Sequence, residues 1–452
     1  MSTTDLDSCQ RLSIPAEILT PGQQFRKALD TPVIPLFGMC ALFLASFGNL
    51  INIAIDKENV ELDQQVLAKL GVLALCGIYG AFGFITDSKV RRLILTFPVM
   101  WIVIIIGFYL FAVPSSVLQT ESFASTISIA CVLLMTATCL VQLGAKTVLN
   151  TVFHAISAFV VLSWAAYFMV PEIGVFAEPL PDGQFAIRMS GLAHPNTLGQ
   201  FSGLLIVIGC VQYVHYKTLS KWRIVVGLLA VGALVGSLSR TSLFATLVAV
   251  AVVYRKQLLN PRYFVYLVWL SALGVVGLMV LSVYGDFGDM LMRKLTFLSK
   301  SGDTEEIFSA TGRGEIWAYA ISLIREQPLT GYGATTSKYY LTDYSLYTHN
   351  LILNVAFSCG VFGGLAAVCM CLGRLRVLLT QDHIVANALV AFILVNGLFE
   401  NVIFSNLAGM PTIVWIIAIS LPSLDYLNNK SPGTVSEPSS HPAHLASSGR
   451  FR

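Results

Sequence analysis

Residues Trp101 to Val113 read WIVIIIGFYLFAV, a run with no charge and no polar alternation. A transmembrane β-strand alternates polar and apolar residues over about ten positions. This run is apolar throughout, so it excludes a barrel strand and predicts a membrane helix. The pattern repeats on both sides. About twelve stretches approach the ~20 apolar residues a membrane helix needs, because backbone N–H and C=O groups cannot be left unpaired in hydrocarbon. They cover 32–54, 66–86, 92–114, 124–143, 151–170, 199–216, 222–238, 240–254, 263–284, 350–372, 384–403 and 408–427. Over all 452 residues, 55% are hydrophobic and 12% charged, with a mean hydropathy of +0.73. An ordinary soluble protein carries about 25% charged residues, so a water-soluble globular enzyme is excluded. The net charge of +3 lies in short scattered clusters, which excludes nucleic acid as a partner.

The fold class expected is therefore all-α, a polytopic membrane protein of about twelve transmembrane helices. Basic residues mark alternate loops: Arg26 and Lys27; Lys89, Arg91 and Arg92; Lys146; Lys217, Lys221 and Arg223; Arg255, Lys256 and Arg262; Arg374 and Arg376; Lys430, Arg450 and Arg452. The positive-inside rule assigns these to the cytoplasm. Both termini are then inside and the long segment 286–349 is outside. The organisation expected is a cytoplasmic N-terminal segment over 1–31, a transmembrane domain over 32–427 and a disordered, Pro- and Ser-rich tail over 428–452. No cleavable signal peptide is expected, and no internal repeat is seen. Eight of the nine cysteines fall in helices and Cys9 in the cytoplasm, so neither a disulfide framework nor a zinc site is expected.

Four outside segments carry residues suited to chemistry. The acidic stretch Asp56 to Asp63 (DKENVELD) suits a general base or a divalent metal, or is a solvated charge run. In RMSGLAHPNTLG, Arg188 and His194 precede a helix start where Asn196 or Thr197 can cap, which makes an anion site; the alternative for His194 is a structural histidine. In SLSRTSL, Arg240 sits among Ser237, Ser239, Thr241 and Ser242 beside hydrocarbon. A guanidinium there needs a partner, a task or a route to the interface. The long segment holds a helical apolar stripe of Ile316, Trp317, Ala320, Ile321 and Ile324, predicting an amphipathic helix along the membrane surface. Arg313 at its start can aim a two-pronged donor at phosphate. Gly331 and Gly333 after Pro328 predict a tight turn, and His349 with Asn350 precedes a span. Tyr339, Tyr340, Tyr344 and Tyr347 offer faces for sugar stacking, or form an interfacial aromatic belt. Glu400 is an acid inside a span, where a partner or a cavity is the default expectation.

Taken in order, these segments resemble the bacterial O-antigen ligase and O-antigen or exopolysaccharide polymerase superfamily. The resemblance rests on Arg188 ahead of His194-Pro195-Asn196, on Ser237-x-Ser239-Arg240, and on Gly312-Arg313 with Trp317. It continues through Pro328-x-x-Gly331-x-Gly333 to His349-Asn350 before a helix with Gly360-x-x-Gly363, covering roughly residues 185–365. It implies inverting glycosyl transfer, independent of metal and of any cofactor, at the periplasmic face of the inner membrane. The donor implied is a glycan on undecaprenyl diphosphate, and the acceptor is another glycan or lipid A-core. Arg188, Arg240 and Arg313 would neutralise the diphosphate, with Arg240 and Arg313 also catalytic, and His349 would be the general base. His194, Asn196, Tyr344, Tyr347 and Asn350 are candidate substrate contacts, and a chain-length regulator is a candidate partner. The wording from Thr311 to Trp317 and the Ser-Arg-Thr-Ser run look closer to polymerases than to ligases. Two alternatives stand beside this reading: a lipid-linked oligosaccharide flippase, and a glycosyltransferase using Asp56 or Asp63 with a metal.

Overall fold

The computed structural model describes residues 33–46, 64–179, 185–216, 220–258, 313–342, 345, 347–380, 382–404 and 407–429. The expected span over 263–284, the acidic stretch from Asp56 to Asp63, Gly312, Tyr344 and the tail beyond 429 lie outside the described residues. The described chain is mostly helical. Five of its helices are long and apolar enough to cross a membrane, or six if one bent pair counts as a single span.

The helices are α1 (Val33–Ser46), α2 (Gln64–Thr86), α3 (Ser88–Leu95), α4 (Met100–Ala112), α5 (Gln119–Met169) and the single turn α6 (Pro171–Gly174). A two-stranded antiparallel hairpin follows, β1 (Val175–Pro179) with β2 (Phe185–Met189), then α7 (Pro195–Tyr216), α8 (Lys221–Gly236), α9 (Arg240–Val253) and α10 (Arg255–Leu258). After the break come α11 (Arg313–Glu326), α12 (Ser337–Tyr340), α13 (Leu351–Thr380), α14 (Ile384–Gly397) and α15 (Met410–Asn429). The hairpin is an addition to the all-α expectation. The centre of the bundle is α5, which packs against α1, α2, α7 and α15.

Several expected spans change form. The span over 92–114 is two helices, α3 and α4, bent by 77° about residues 96–99. Pro98 lies in this bend; it has no N–H to donate and disfavours helix at Phe97. The expected loop between 124–143 and 151–170 is replaced by helix. Here α5 runs on without a loop and breaks at Gly144 alone, whose φ of 78° suits glycine. Each half holds roughly 25 residues, or about 37 Å of helix, close to one bilayer crossing. The span over 384–403 stops at Gly397, a residue type that ends helices readily. Glu400 therefore lies beyond the helix end, in an irregular segment, not inside a span.

The turn from Pro328 to Gly333 is built into a helix. Inside α13, Cys359 and Gly360 leave helical geometry, Gly360 with φ 78°. The carbonyls of Phe357 and Ser358 accept from the N–H groups of Tyr332 and Gly333 at 3.0 and 2.8 Å, and Val361 N–H donates to the Pro328 carbonyl at 2.7 Å. The turn thus restores hydrogen bonds that the break removes. Only glycine permits the approach: a Cβ on Gly331 would lie 2.6 Å from the Gly360 nitrogen, and one on Gly360 would lie 2.4 Å from the Leu329 oxygen. Next to it, the apolar stripe of α11 faces protein. Ile316, Ala320, Leu323 and Ile324 pack with Tyr332, Leu341 and Phe357 in a small second core, while Ile321 is exposed.

This contact yields a stability test. Gly331→Ala and Gly360→Ala should each cost about 2 kcal/mol or more, since roughly 1–2 kcal/mol of left-handed backbone strain adds to the overlap. Gly314→Ala, where an added Cβ meets nothing within 4 Å, should leave thermal stability unchanged or raise it by up to about 1 kcal/mol, as expected for Gly to Ala in a helix. Equal melting temperatures for all three variants in detergent would contradict the docking of the turn.

Candidate functional site

The β-hairpin presents Arg188. Its register sets Phe176 opposite Arg188, which puts Glu178, two residues along β1, on the same face and within diagonal reach. Arg188 is 2% exposed. Its three nitrogens all meet protein acceptors: Nη1 donates to Glu178 Oε2 at 2.6 Å, Nη2 to Asn196 Oδ1 at 2.7 Å, and Nε to the Ser237 carbonyl at 2.8 Å. Loss of Glu178 would leave the buried Arg188 charge without its ionic partner, at a cost of about 3–5 kcal/mol.

At the start of α7 the cap is His194, and not Asn196 or Thr197. The His194 ring nitrogen Nδ1 accepts from Asn196 N–H at 3.2 Å, and its carbonyl accepts from the N–H groups of Thr197 and Leu198. The Asn196 side chain is left for tertiary contacts. Its oxygen holds Arg188, and its Nδ2 donates to Glu400 Oε1 at 3.0 Å.

Glu400 is the meeting point. Oε1 also accepts from Arg313 Nη2 at 3.0 Å, and Oε2 lies 3.2 Å from His349 Nδ1. Arg313, the first residue of α11, sits over the Phe399 ring at 5.8 Å. Trp317, one turn on, donates its indole N–H to the Thr348 carbonyl at 2.9 Å, tying α11 to the segment that carries His349. His349 Nε2 lies 3.0 Å from Ser345 Oγ, and Tyr347 packs edge-on against the imidazole. Asn350 caps α13, accepting from Leu353 N–H at 2.9 Å, and its Nδ2 donates to the Leu398 carbonyl, which fastens the Glu400 turn to the start of α13.

Burial pushes the Glu400 carboxyl up, but the His349 hydrogen bond and the charges of His349, Arg313 and His194 outweigh it and hold it below its ordinary 4.5. A lowered folded-state pKa contributes stability above the unfolded value and loses it as pH falls through the folded one. The network is therefore intact at neutral pH and lost only in acid below 4.5.

Arg240 opens α9 on the turn that Arg188 grips. Ser237 Oγ and Ser239 face Gly199 of α7, and Ser242 Oγ reaches Asn396 Oδ1 of α14 at 3.4 Å. The side chain of Ser239 does not cap α9. A guanidinium at a helix N-terminus opposes the helix dipole, so the turn concentrates positive potential. Left-handed φ at a non-glycine residue occurs at Leu238 (52°), Thr335 (67°) and His349 (49°) among the described residues. Such strain of about 1–3 kcal/mol per residue gathers at functional sites, and two of the three fall in the Ser-x-Ser-Arg and His-Asn segments. A cavity of about 240 Å³ opens beside Arg188, walled by Trp164, Tyr167, Ile187, Met189, Val235 and Leu238. Among the described residues no group of three His, Cys, Asp or Glu side chains is placed to hold a metal ion.

The structure thus brings Arg188, Asn196, Arg313 and His349 into one network, with Asn350 fastening it and Tyr347 against the histidine. Glu178, Ser345 and Phe399 carry no signal in the sequence. Glu400 does carry one, as a lone acid in an apolar stretch, but nothing local names its partners.

Residues 225–368 match the family model described as O-antigen ligase. No curated protein matches the chain. The matched segment contains the Ser-x-Ser-Arg turn, Arg313, the glycine turn, His349 and the break in α13, whereas Arg188, Asn196 and Glu400 lie outside it. Over this segment the chain is similar to the O-antigen ligase family, which supports its resemblance to the O-antigen ligase and polymerase superfamily.

Proposed function

We propose that the protein transfers a glycan from undecaprenyl diphosphate to a sugar hydroxyl at the periplasmic face of the inner membrane, with inversion and without a metal ion, as an O-antigen or exopolysaccharide polymerase. The observation that carries this reading is the convergence of Arg313, His349 and Asn196 on Glu400, beside the turn that bears Arg240. In the proposed step His349 Nε2 takes the proton of the acceptor hydroxyl as its oxygen bonds to the anomeric carbon. The bond from that carbon to the diphosphate oxygen breaks, and the electron pair leaves with the diphosphate. Guanidinium groups remain protonated throughout and stabilise the charge that grows on the leaving group.

Arg313 suits this role. Among the described residues its side chain donates from Nη2 to Glu400, and a guanidinium carries further N–H donors that can serve a diphosphate. Arg240 adds a second cation at a helix N-terminus. Arg188 has each nitrogen engaged by protein, and its contribution is to fix Asn196 and the Arg240 turn around the diphosphate. The apolar and aromatic cavity next to it suits the first units of a prenyl chain. His194, Tyr344 and Tyr347 are candidate sugar contacts, and the polymerase reading admits a chain-length regulator as partner. The ligase reading, with lipid A-core as acceptor, is favoured by the description of the matching family. A deletion strain separates the two. Single repeat units on lipid A mark a polymerase, and full-length chains left on the carrier mark a ligase.

In purified, reconstituted protein supplied with a lipid-diphosphate glycan and acceptor, His349→Ala and Arg313→Ala should each lower transfer by about 10²-fold or more while remaining folded. Added chelator should leave the wild-type rate unchanged. Complete inhibition by chelator would favour the acidic-loop enzyme, and normal glycan assembly by both variants in cells would favour a transporter. For sidedness, a cysteine at exposed Thr342 should react with a membrane-impermeant thiol reagent in intact spheroplasts, and one at exposed Lys89 should react only after lysis. The reverse pattern would place the site in the cytoplasm.

A further inference from the structure

Glu400 is not accounted for by the transfer step itself. It contributes no lone pair to the acceptor and, as an anion, repels a diphosphate. Yet it holds three groups at once, with Asn196 Nδ2 and Arg313 Nη2 on Oε1 and His349 Nδ1 near Oε2. An ionised carboxylate only accepts hydrogen bonds. The proton of a neutral His349 ring must then reside on Nδ1, which leaves the Nε2 lone pair as the basic site. Ser345 Oγ, 3.0 Å from Nε2, is the hydroxyl that can donate to that lone pair, and it occupies the distance and role that an acceptor sugar hydroxyl would take.

We infer that Glu400 is a positioning residue: it fixes the ring orientation and Nδ1–H tautomer of His349, and it balances the positive charge that appears on the ring when Nε2 takes the acceptor proton. The inference rests on the glycosyl-transfer reading of the same site. The charged and titratable groups facing Glu400 are His349, Arg313 and His194. Arg313 pairs with the carboxylate from a separate segment, which favours its ionised form as the ring changes charge. Asn196 completes the arrangement. Its amide is oriented by the grip of Arg188 on its oxygen, which turns Nδ2 toward Oε1 and stops the carboxylate from rotating away from the imidazole. His349 itself has a left-handed backbone, φ 49°, a conformation that persists only where surrounding contacts hold it. The same logic operates where a buried carboxylate orients a catalytic imidazole without itself taking up the proton.

The experiment uses the full chain in lipid nanodiscs. Kinetics are read with lipid-diphosphate glycan and acceptor extracted from a strain that lacks the protein. Glu400→Gln keeps the shape of the side chain and removes its charge. It is expected to lower kcat by at least about tenfold, and by no more than His349→Ala does, in the range of general-base contributions. KM for the donor should stay within about threefold, since interactions realised in the transition state lower kcat and not binding. In parallel, ¹⁵N spectra of ring-labelled histidine at about pH 8, where an ordinary imidazole is neutral, should show the signal absent from His349→Ala as an Nδ1–H, Nε2-bare tautomer in the wild type. A wild-type kcat in Glu400→Gln beside an inactive His349→Ala would overturn the positioning role alone, as would an Nε2–H tautomer in the wild-type spectrum. The spectrum decides the point even if Glu400→Gln fails to fold. Full activity in His349→Ala would instead overturn the transfer reading.

Discussion

A half-buried carboxylate at position 400 has to be paired, because a charge withdrawn from water without partners is far more costly than any single contact can offset. Its partners come from the start of α7, the start of α11 and the segment entering α13, and it sits itself on the turn after α14. Satisfying one side chain thus fixes the relative positions of four elements. Arg188 extends the constraint, since the amide that it orients at Asn196 is one of the three donors to Glu400. The hairpin that carries Arg188, and the Ser237 turn that accepts from it, become part of the same rigid unit.

A second constraint is imposed by the backbone. A helix break at bundle depth leaves N–H and C=O groups that water cannot reach, and membrane proteins tolerate it only where protein supplies the missing partners. In α13 the partner is the Pro328–Gly333 turn, which pairs with Phe357, Ser358 and Val361. The turn is anchored on its other side as well. Ser122 Oγ donates to the Ala334 carbonyl at 2.6 Å, and Ser115 Oγ donates to the Gly331 carbonyl at 3.2 Å. Because α11 leads into this turn and His349 follows it, the glycine contact sets the distance between Arg313 and His349. Fold and site depend on one docking event.

Much of the helical plan was legible in advance. Continuous apolar runs such as Trp101–Val113 and the stripe of Ile316, Ala320 and Ile324 each dictate a helix through local spacing, and the described helices follow them. The glycine turn was legible too, because Gly331 and Gly333 have few conformational alternatives after Pro328. The bend at Pro98, the loop-free break at Gly144 and the hairpin were not expected, although each carries a proline or glycine cue that hydropathy averages away. At the site, residue types announced the cations but not their partners. Arg188 reads from the sequence as part of an anion site, and the partners the structure gives it are Glu178, Asn196 and Ser237. His194, and not its neighbours, caps α7.

Hydropathy and chemical type are properties of a short window of chain, so the amino-acid order alone determined that this is a helical membrane protein with arginines and a histidine gathered in a few polar segments. Which acceptor each cation finds is a different kind of quantity. Asn196 and Glu400 are 204 residues apart, Arg313 and Glu400 are 87 apart, and His349 and Glu400 are 51 apart. Contacts across such separations exist only after helices have packed and turns have docked. Only the tertiary structure could therefore decide that a lone acid beyond the end of α14 sits between the arginine and the histidine.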